Sequence, residues 1–216
     1  MQVQKRDGQL EDLDIDKLHK VVMYAVEGIT GVSASEVEIN SHIQFFDKIS
    51  STDIQETLIK SAADLISEES PNYQYVGGRL INYHLRKEVY GTFTPPCLCD
   101  IIQKNIDIGF YDAEFTELYT KDEINQLQEY IDHDRDEYLT YAAMEQFRGK
   151  YLVQNRATGE IFETPQVAYI MIAATLFSKY PAGTRMKYVK AYYDAISTFK
   201  ISLPTPVMAG VRTPQR

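Results

Sequence analysis

Lys5 and Arg6 stand directly before an Asp7-Gly8 dipeptide, and Lys17 lies one turn into the helix predicted after it. Ser51 and Thr52 place hydroxyls where another helix should begin, and Lys87 lies near the end of a fourth. Cations, hydroxyls and the open N–H groups of helix starts are what a polyphosphate needs. Glu11 and Asp14, on the corner after the Asp-Gly turn, can accept hydrogen bonds from the amino group of a base. His84 precedes Lys87 by three residues on one helical face and can join the same anion-binding group. A solvated surface of mixed charge is the competing reading, because such clusters are common on helices.

Other chemistry finds less support. Cys97 and Cys99 have no His or second Cys pair at ligand spacing, so zinc is weakly supported and a buried or loop thiol is the plainer reading. His133, in Asp132-His133-Asp134-Arg135-Asp136, is flanked by carboxylates that could raise its pKa, but a capping or ion-paired histidine at a helix start explains it as well. His19 and His42 have no evident nucleophile beside them. GxxxxGK, GxGxxG and GxSxG motifs do not occur in the sequence.

The elements that must position these residues are mostly helical. Val3 to Leu13 reads as a hairpin with a two-residue type I′ turn at Asp7-Gly8. Asp14 or Asp16 can cap a helix carrying Leu18, Val21, Val22, Ala25 and Val26, stopped at Gly28. Ser33 or Ser35 opens a second helix, to about Phe46. Thr52 to Gln55 reads as a capping box for a third, which buries Ile54, Leu58, Ala62, Leu65 and Ile66. Pro71 suits the first turn of a fourth, with Val76, Leu80 and Tyr83, ending around Tyr90-Gly91. Thr92-Phe93-Thr94-Pro95-Pro96 is a stiff connector and marks a domain boundary. Beyond it, helices are predicted over 97–109, 121–131, 134–148, 165–179 and 184–197. A second hairpin is predicted at 151–154 and 160–163, with Thr158-Gly159 in its turn. Lys200 to Pro206 reads as a strand entering a larger structure.

Composition bounds the function. The 216 residues carry 22 basic and 31 acidic side chains, a net charge of −9, which argues against a broad duplex nucleic-acid footprint. Two cysteines one residue apart are no disulfide framework and suit a reduced, cytoplasmic compartment. The nearly apolar run Val167 to Phe177 is far short of the roughly 20 residues of a membrane span. Neither nucleic acid nor membrane is expected as a partner.

Lys5-Arg6-Asp7-Gly8, Asp16-Lys17, Ser51-Thr52-Asp53-Ile54, Pro71 to Tyr75 and Leu85-Arg86-Lys87 together resemble the ATP-cone of ribonucleotide reductase large subunits. The remainder is similar to the large (α) subunit of class I ribonucleoside-diphosphate reductases of bacterial and phage type. It does so through Ile131 to Asp136, Lys150 to Val153, Thr158 to Glu163 and Ser197 to Pro206. The resemblance implies a mainly α (α+β) fold: an ATP-cone over 1–91, built of a hairpin and four helices, then a helical lead-in over 92–216 to a truncated ten-stranded α/β barrel.

It also implies an allosteric activity site for ATP or dATP with Mg2+, formed by Lys5, Arg6, Glu11, Asp12, Leu13, Asp14, Ile15, Asp16, Lys17, Ser51, Gln55, His84 and Lys87. Ser51 keeps the hydroxyl of the family's common Thr, while Asp14 and Gln55 stand where Asn and His are frequent. Thr205 matches a contact to the substrate diphosphate. The family's catalytic cysteines lie further along its chain, and Cys97 and Cys99 match none of them. This chain alone is therefore expected to be inactive. It is expected to work with the remaining C-terminal part of the large subunit and with a radical-generating small (β) subunit. The rival expectation is a free-standing nucleotide sensor without a catalytic role.

Overall fold

The computed structural model describes residues 1–215 as two compact units. One holds Met1–Leu85 and Glu137–Glu145; the other holds Arg86–Asp136 and, of the described residues, 146–215. The fold is mainly helical with one small sheet.

The first unit begins with strands β1 (Gln2–Gln4) and β2 (Leu10–Asp12), which pair antiparallel with Val3 opposite Glu11. β3 (Ile49–Ser50) pairs parallel to β1, so β1 is the centre of a three-stranded sheet. Val3 and Ile49 are partners in that register and both are buried. The loop between β1 and β2 differs from the predicted type I′ turn. Lys5 N–H donates to the Gln9 carbonyl at 2.8 Å and Gly8 N–H to the Lys5 carbonyl at 2.9 Å. Only Gly8 takes positive φ, at +85°, because the Asp7 carboxylate instead accepts the Gln9 N–H at 3.0 Å. The result is a three-residue loop with a glycine bulge.

α1 (Ile15–Val26) is capped by Asp14, whose carboxylate accepts the Lys17 N–H at 3.0 Å, and buries Leu18, Val21, Val22 and Ala25. α2 (Ala34–His42), capped by Ser33, stops four residues short of the predicted end. It buries only Val37 and Ser41, so no apolar stripe extends it. α3 (Ser51–Asp64) is capped by Ser50 rather than Thr52: Ser50 Oγ accepts the Asp53 N–H at 2.9 Å. Because α3 ends at Asp64, Ile66 leaves its buried face and is exposed. α4 (Tyr73–Tyr90) starts two residues after Pro71, and Gly91 ends it at φ +74°.

In the second unit, Cys97 caps α5 (Leu98–Asp107). α6 (Glu114–Leu118), which was not foreseen, starts where Asp112 accepts the Glu114 N–H at 3.0 Å. α7 (Lys121–Tyr130) opens on a full capping box of Thr120 and Glu123. The single helix predicted over 134–148 is three pieces: a 3-10 helix (His133–Tyr138), α8 (Tyr141–Gln146) and a π turn (Phe147–Tyr151). Thr140 restarts the chain as a helix, its carbonyl accepting the Met144 N–H at 2.9 Å.

The second hairpin is reduced to one antiparallel bridge, Gln154 with Ile161, with Gly159 at φ +78° in its turn. α9 (Pro165–Leu176) is buried on every side from Pro165 to Ala174 and is the centre of this unit, with α10 (Ala182–Ser197) packed along it. The strand predicted at Lys200 to Pro206 does not form. Phe199, at φ +61°, turns the chain out of α10, and Pro206 in a first helical turn favours α11 (Thr205–Gly210).

Candidate functional site

The hairpin loop and α4 meet through Arg6, whose guanidinium lies 3.5 Å from His84 Nδ1, a contact between residues 78 apart in sequence. His84 is buried, and its Nε2 lies 3.5 Å from Glu56 on α3. Three elements thus converge on one imidazole. Lys5 pairs with Glu11 across the hairpin at 3.1 Å, and Lys17 pairs with Asp14 at 3.4 Å. The Lys17 N–H above all holds the Asp14 carboxyl below its ordinary range.

The remaining predicted residues flank this group along the same elements. Asp12 ends β2, Leu13 donates its N–H to the Met1 carbonyl at 2.9 Å, and Ile15 and Asp16 form the first turn of α1, with Ile15 exposed. Ser51 is the first residue of α3, and Gln55 lies one turn further on, its buried Oε1 without a hydrogen-bond partner. Lys87 follows His84 by three residues on α4. Thr205 is the first residue of α11, in the second unit, which also holds Lys87.

Two contributors were missed in the sequence. Glu56 was hidden because a carboxylate on a helix surface is unremarkable until His84 is placed against it. Ser50 left a signal, a hydroxyl three residues before Asp53, but Thr52 offered the same pattern two residues later.

This donor set suits a nucleotide. The lysines and Arg6 offer charge to phosphates, the start of α3 offers N–H groups and the Ser51 hydroxyl, and the orphaned Gln55 oxygen can accept from a base amino group. Lys5 and Lys17 are already paired with Glu11 and Asp14, so an anion entering here competes with these carboxylates.

In the second unit two buried carboxylates are held by internal partners. Glu163 is fully buried; it accepts from the Tyr111 hydroxyl at 2.5 Å, the Val153 N–H at 2.7 Å and the buried Arg212 guanidinium. Asp136, also fully buried, accepts from Arg86 at 3.2 Å and Gln166 at 3.0 Å. Burial pushes its pKa up to about 6 despite those donors. His133 is not a raised-pKa base: burial, then the Arg86 charge, pulls it down to about 4. Nor is it ion-paired, for its Nδ1 is buried without a hydrogen-bond partner. Cys97 and Cys99 are exposed and joined to each other, which corrects the expectation of a buried or loop thiol.

Residues 1–88 match the family model described as ATP cone domain, and residues 137–216 match that described as Ribonucleotide reductase, all-alpha domain. The chain is 56% identical over 214 residues to ribonucleoside-diphosphate reductase 1 subunit alpha of Escherichia coli K12, covering 99% of this chain and 28% of that protein. It is 54% identical over 216 residues to the subunit alpha of Haemophilus influenzae, covering 100% of this chain and 29% of that one. Against the subunit alpha of Enterobacteria phage T4 the identity is 42% over 212 residues, 98% of this chain and 28% of that one. The chain therefore spans less than a third of the length of these relatives. Cone, helical domain and relatives all point one way: the chain carries an ATP cone domain and a ribonucleotide reductase all-alpha domain, and corresponds to the N-terminal part, 28–29% of the length, of ribonucleoside-diphosphate reductase alpha subunits.

Proposed function

We propose that this chain binds ATP or dATP, with Mg2+, as an allosteric activity effector, and that it takes part in reducing ribonucleoside diphosphates to deoxyribonucleoside diphosphates. The observation that carries the effector reading is the meeting of the hairpin loop, α3 and α4 at His84, through Arg6 and Glu56. In this reading Lys5, Arg6 and Lys87 hold phosphates. The stretch Glu11 to Lys17 wraps base and ribose, and Ser51, Gln55 and His84 complete the site. Mg2+ supplies charge neutralisation of the phosphates. Residues 1–91 act as the regulatory domain and 92–216 as the lead-in to the catalytic barrel. Reduction needs the rest of the large subunit's length and the radical-generating β subunit, in the cytoplasm, with Thr205 contacting the substrate diphosphate.

Titration calorimetry on the full chain tests the site. Lys87→Ala is expected to weaken ATP binding by roughly 1–3 kcal/mol, the scale of a charge-assisted hydrogen bond. Asp14→Asn keeps the α1 cap and removes the charge facing Lys17, so it is expected to change the ATP-to-dATP preference while the helix stays formed. Equal affinities in wild type and Lys87→Ala overturn the assignment of the site.

A further inference from the structure

Cys97 and Cys99 bracket the start of α5, and their sulfurs are bonded to each other. Both residues are exposed, while Leu98 between them is fully buried and donates its N–H to Gln128 Oε1 at 2.5 Å. Cys97 Sγ accepts the Asp100 N–H at 3.4 Å, as the cap of the helix. The Asp100 carboxylate lies within 4.8 Å of both sulfurs. Among the described residues there is no free cysteine.

We infer that Cys97 and Cys99 are a redox-exchangeable surface pair, opened and re-formed by external thiols. Exposure gives a thiolate direct access, and exposed disulfides are the labile ones. The buried Leu98 and its bond to Gln128 hold the backbone still, so the two sulfurs stay within bonding reach after reduction and can close again. The two sulfurs are inequivalent. A negative charge on Cys97 sits at the start of a ten-residue helix and accepts the Asp100 N–H. A negative charge on Cys99 faces the Asp100 carboxylate, 3.7 Å away.

The exchange therefore has a direction. A thiolate of an external dithiol or monothiol attacks Cys99 Sγ. The bond between the two cysteines breaks, and its electron pair leaves on Cys97 Sγ. A second external thiol, on the same dithiol or on a second monothiol such as glutathione, then loses its proton and attacks the external sulfur of the mixed disulfide, releasing Cys99, which takes up a proton. Two electrons pass to the protein, the two external thiols become a disulfide, and both protein sulfurs end as thiol or thiolate. Oxidation by a disulfide of the same class runs the sequence backwards, with Cys97 closing on Cys99. Closure changes the cap of α5 from a thiolate to a bonded sulfur, a weaker acceptor for the Asp100 N–H.

The test is alkylation of the full chain with N-ethylmaleimide, read by mass spectrometry after equilibration in glutathione buffers. Oxidised glutathione is expected to give chains with no label, and excess reduced glutathione chains with two. Single variants test the direction: the Cys97 thiol in Cys99→Ser is expected to alkylate several-fold faster than the Cys99 thiol in Cys97→Ser. Three results overturn the proposal: a disulfide that excess reduced glutathione leaves closed, cysteines that label fully at every glutathione ratio, or equal rates in the two single variants. None of these readouts depends on nucleotide binding or on reductase activity.

Discussion

Arg86 has two titrating neighbours whose pKa values move in opposite directions. It donates to the Asp136 carboxylate at 3.2 Å and to the His133 carbonyl at 2.8 Å. Asp136 rises from 3.8 to about 6, so the folded state binds more protons than the unfolded between those values. Its contribution is full at low pH and declines as pH climbs through that window. His133 falls from 6.5 to about 4, so its contribution is present above the first value and is lost as pH drops toward the second. Over the shared window the two slopes offset. Relative to wild type, Asp136→Asn is expected to lose stability, and His133→Gln to gain it, as pH drops from 6.5 to about 4. Each slope difference from wild type should total about 1–3 kcal/mol. Asp14, Glu123 and Asp194, all held low, are common to the three proteins and cancel in the comparison. Urea unfolding across that pH range checks it; parallel slopes in the three proteins contradict it.

Within α4 two adjacent glycines sit in a helix interior, where each is worth about 1 kcal/mol less than alanine. A Cβ on Gly78 would stand 2.0 Å from the Leu139 carbonyl oxygen, and one on Gly77 would stand 3.1 Å from Tyr141 Cβ. The glycines let backbone lie against backbone, and that approach is the physical reason the chain over 139–140 leaves the helical path. Gly78→Ala is therefore expected to destabilise by about 1–3 kcal/mol despite the gain in helix propensity. Gly183→Ala in α10, with open space around it, should be neutral or slightly stabilising. Thermal melts of the two variants decide this, and a stabilised Gly78→Ala would remove the account of the break.

The same contact explains what was legible. α1 could be read because Leu18, Val21, Val22 and Ala25 repeat on one face behind a capping Asp14. Local signals likewise placed α7, α9 and α10 to within a few residues. The break before α8 was not legible, because its cause is a carbonyl pressed on a glycine 61 residues earlier in the chain. The strand expected at Lys200 to Pro206 failed for a related reason: an apolar, proline-punctuated stretch reads alike as a strand or as the entry to a helix, and pairing partners decide. Of the site, the cations and hydroxyls were legible from residue type. The Glu56 partner of His84 was not, since it is set by packing between α3 and α4.

At the scale of the whole molecule, length is the governing observation. The chain spans 28% of the Escherichia coli relative and 29% of the Haemophilus influenzae one, so the proposed reduction draws on sequence that this chain does not contain. Its own features after α10 suit continuation against more protein. Phe199 and Ile201 are exposed at 57% and 46%, just before Thr205, the proposed diphosphate contact. Apolar side chains this close together suit a partner surface where they form one contiguous patch. A permanent interface of this kind buries on the order of 2,000 Å² or more. The expected outcome is that the chain alone, given a radical-generating β subunit and reductant, converts no ribonucleoside diphosphate. Joined to the remaining length of an α subunit, in one polypeptide or as two co-expressed ones, it should yield a soluble species whose activity responds to ATP and dATP. Thr205→Ala should lower that activity without changing calorimetric ATP affinity, because Thr205 is no member of the proposed nucleotide site and opens a separate helix, α11. Ile201→Asp should reduce co-purification of the two-polypeptide form. Turnover by the chain alone would contradict the division of labour. Failure to associate, with ATP binding intact, would leave a nucleotide sensor that acts by itself.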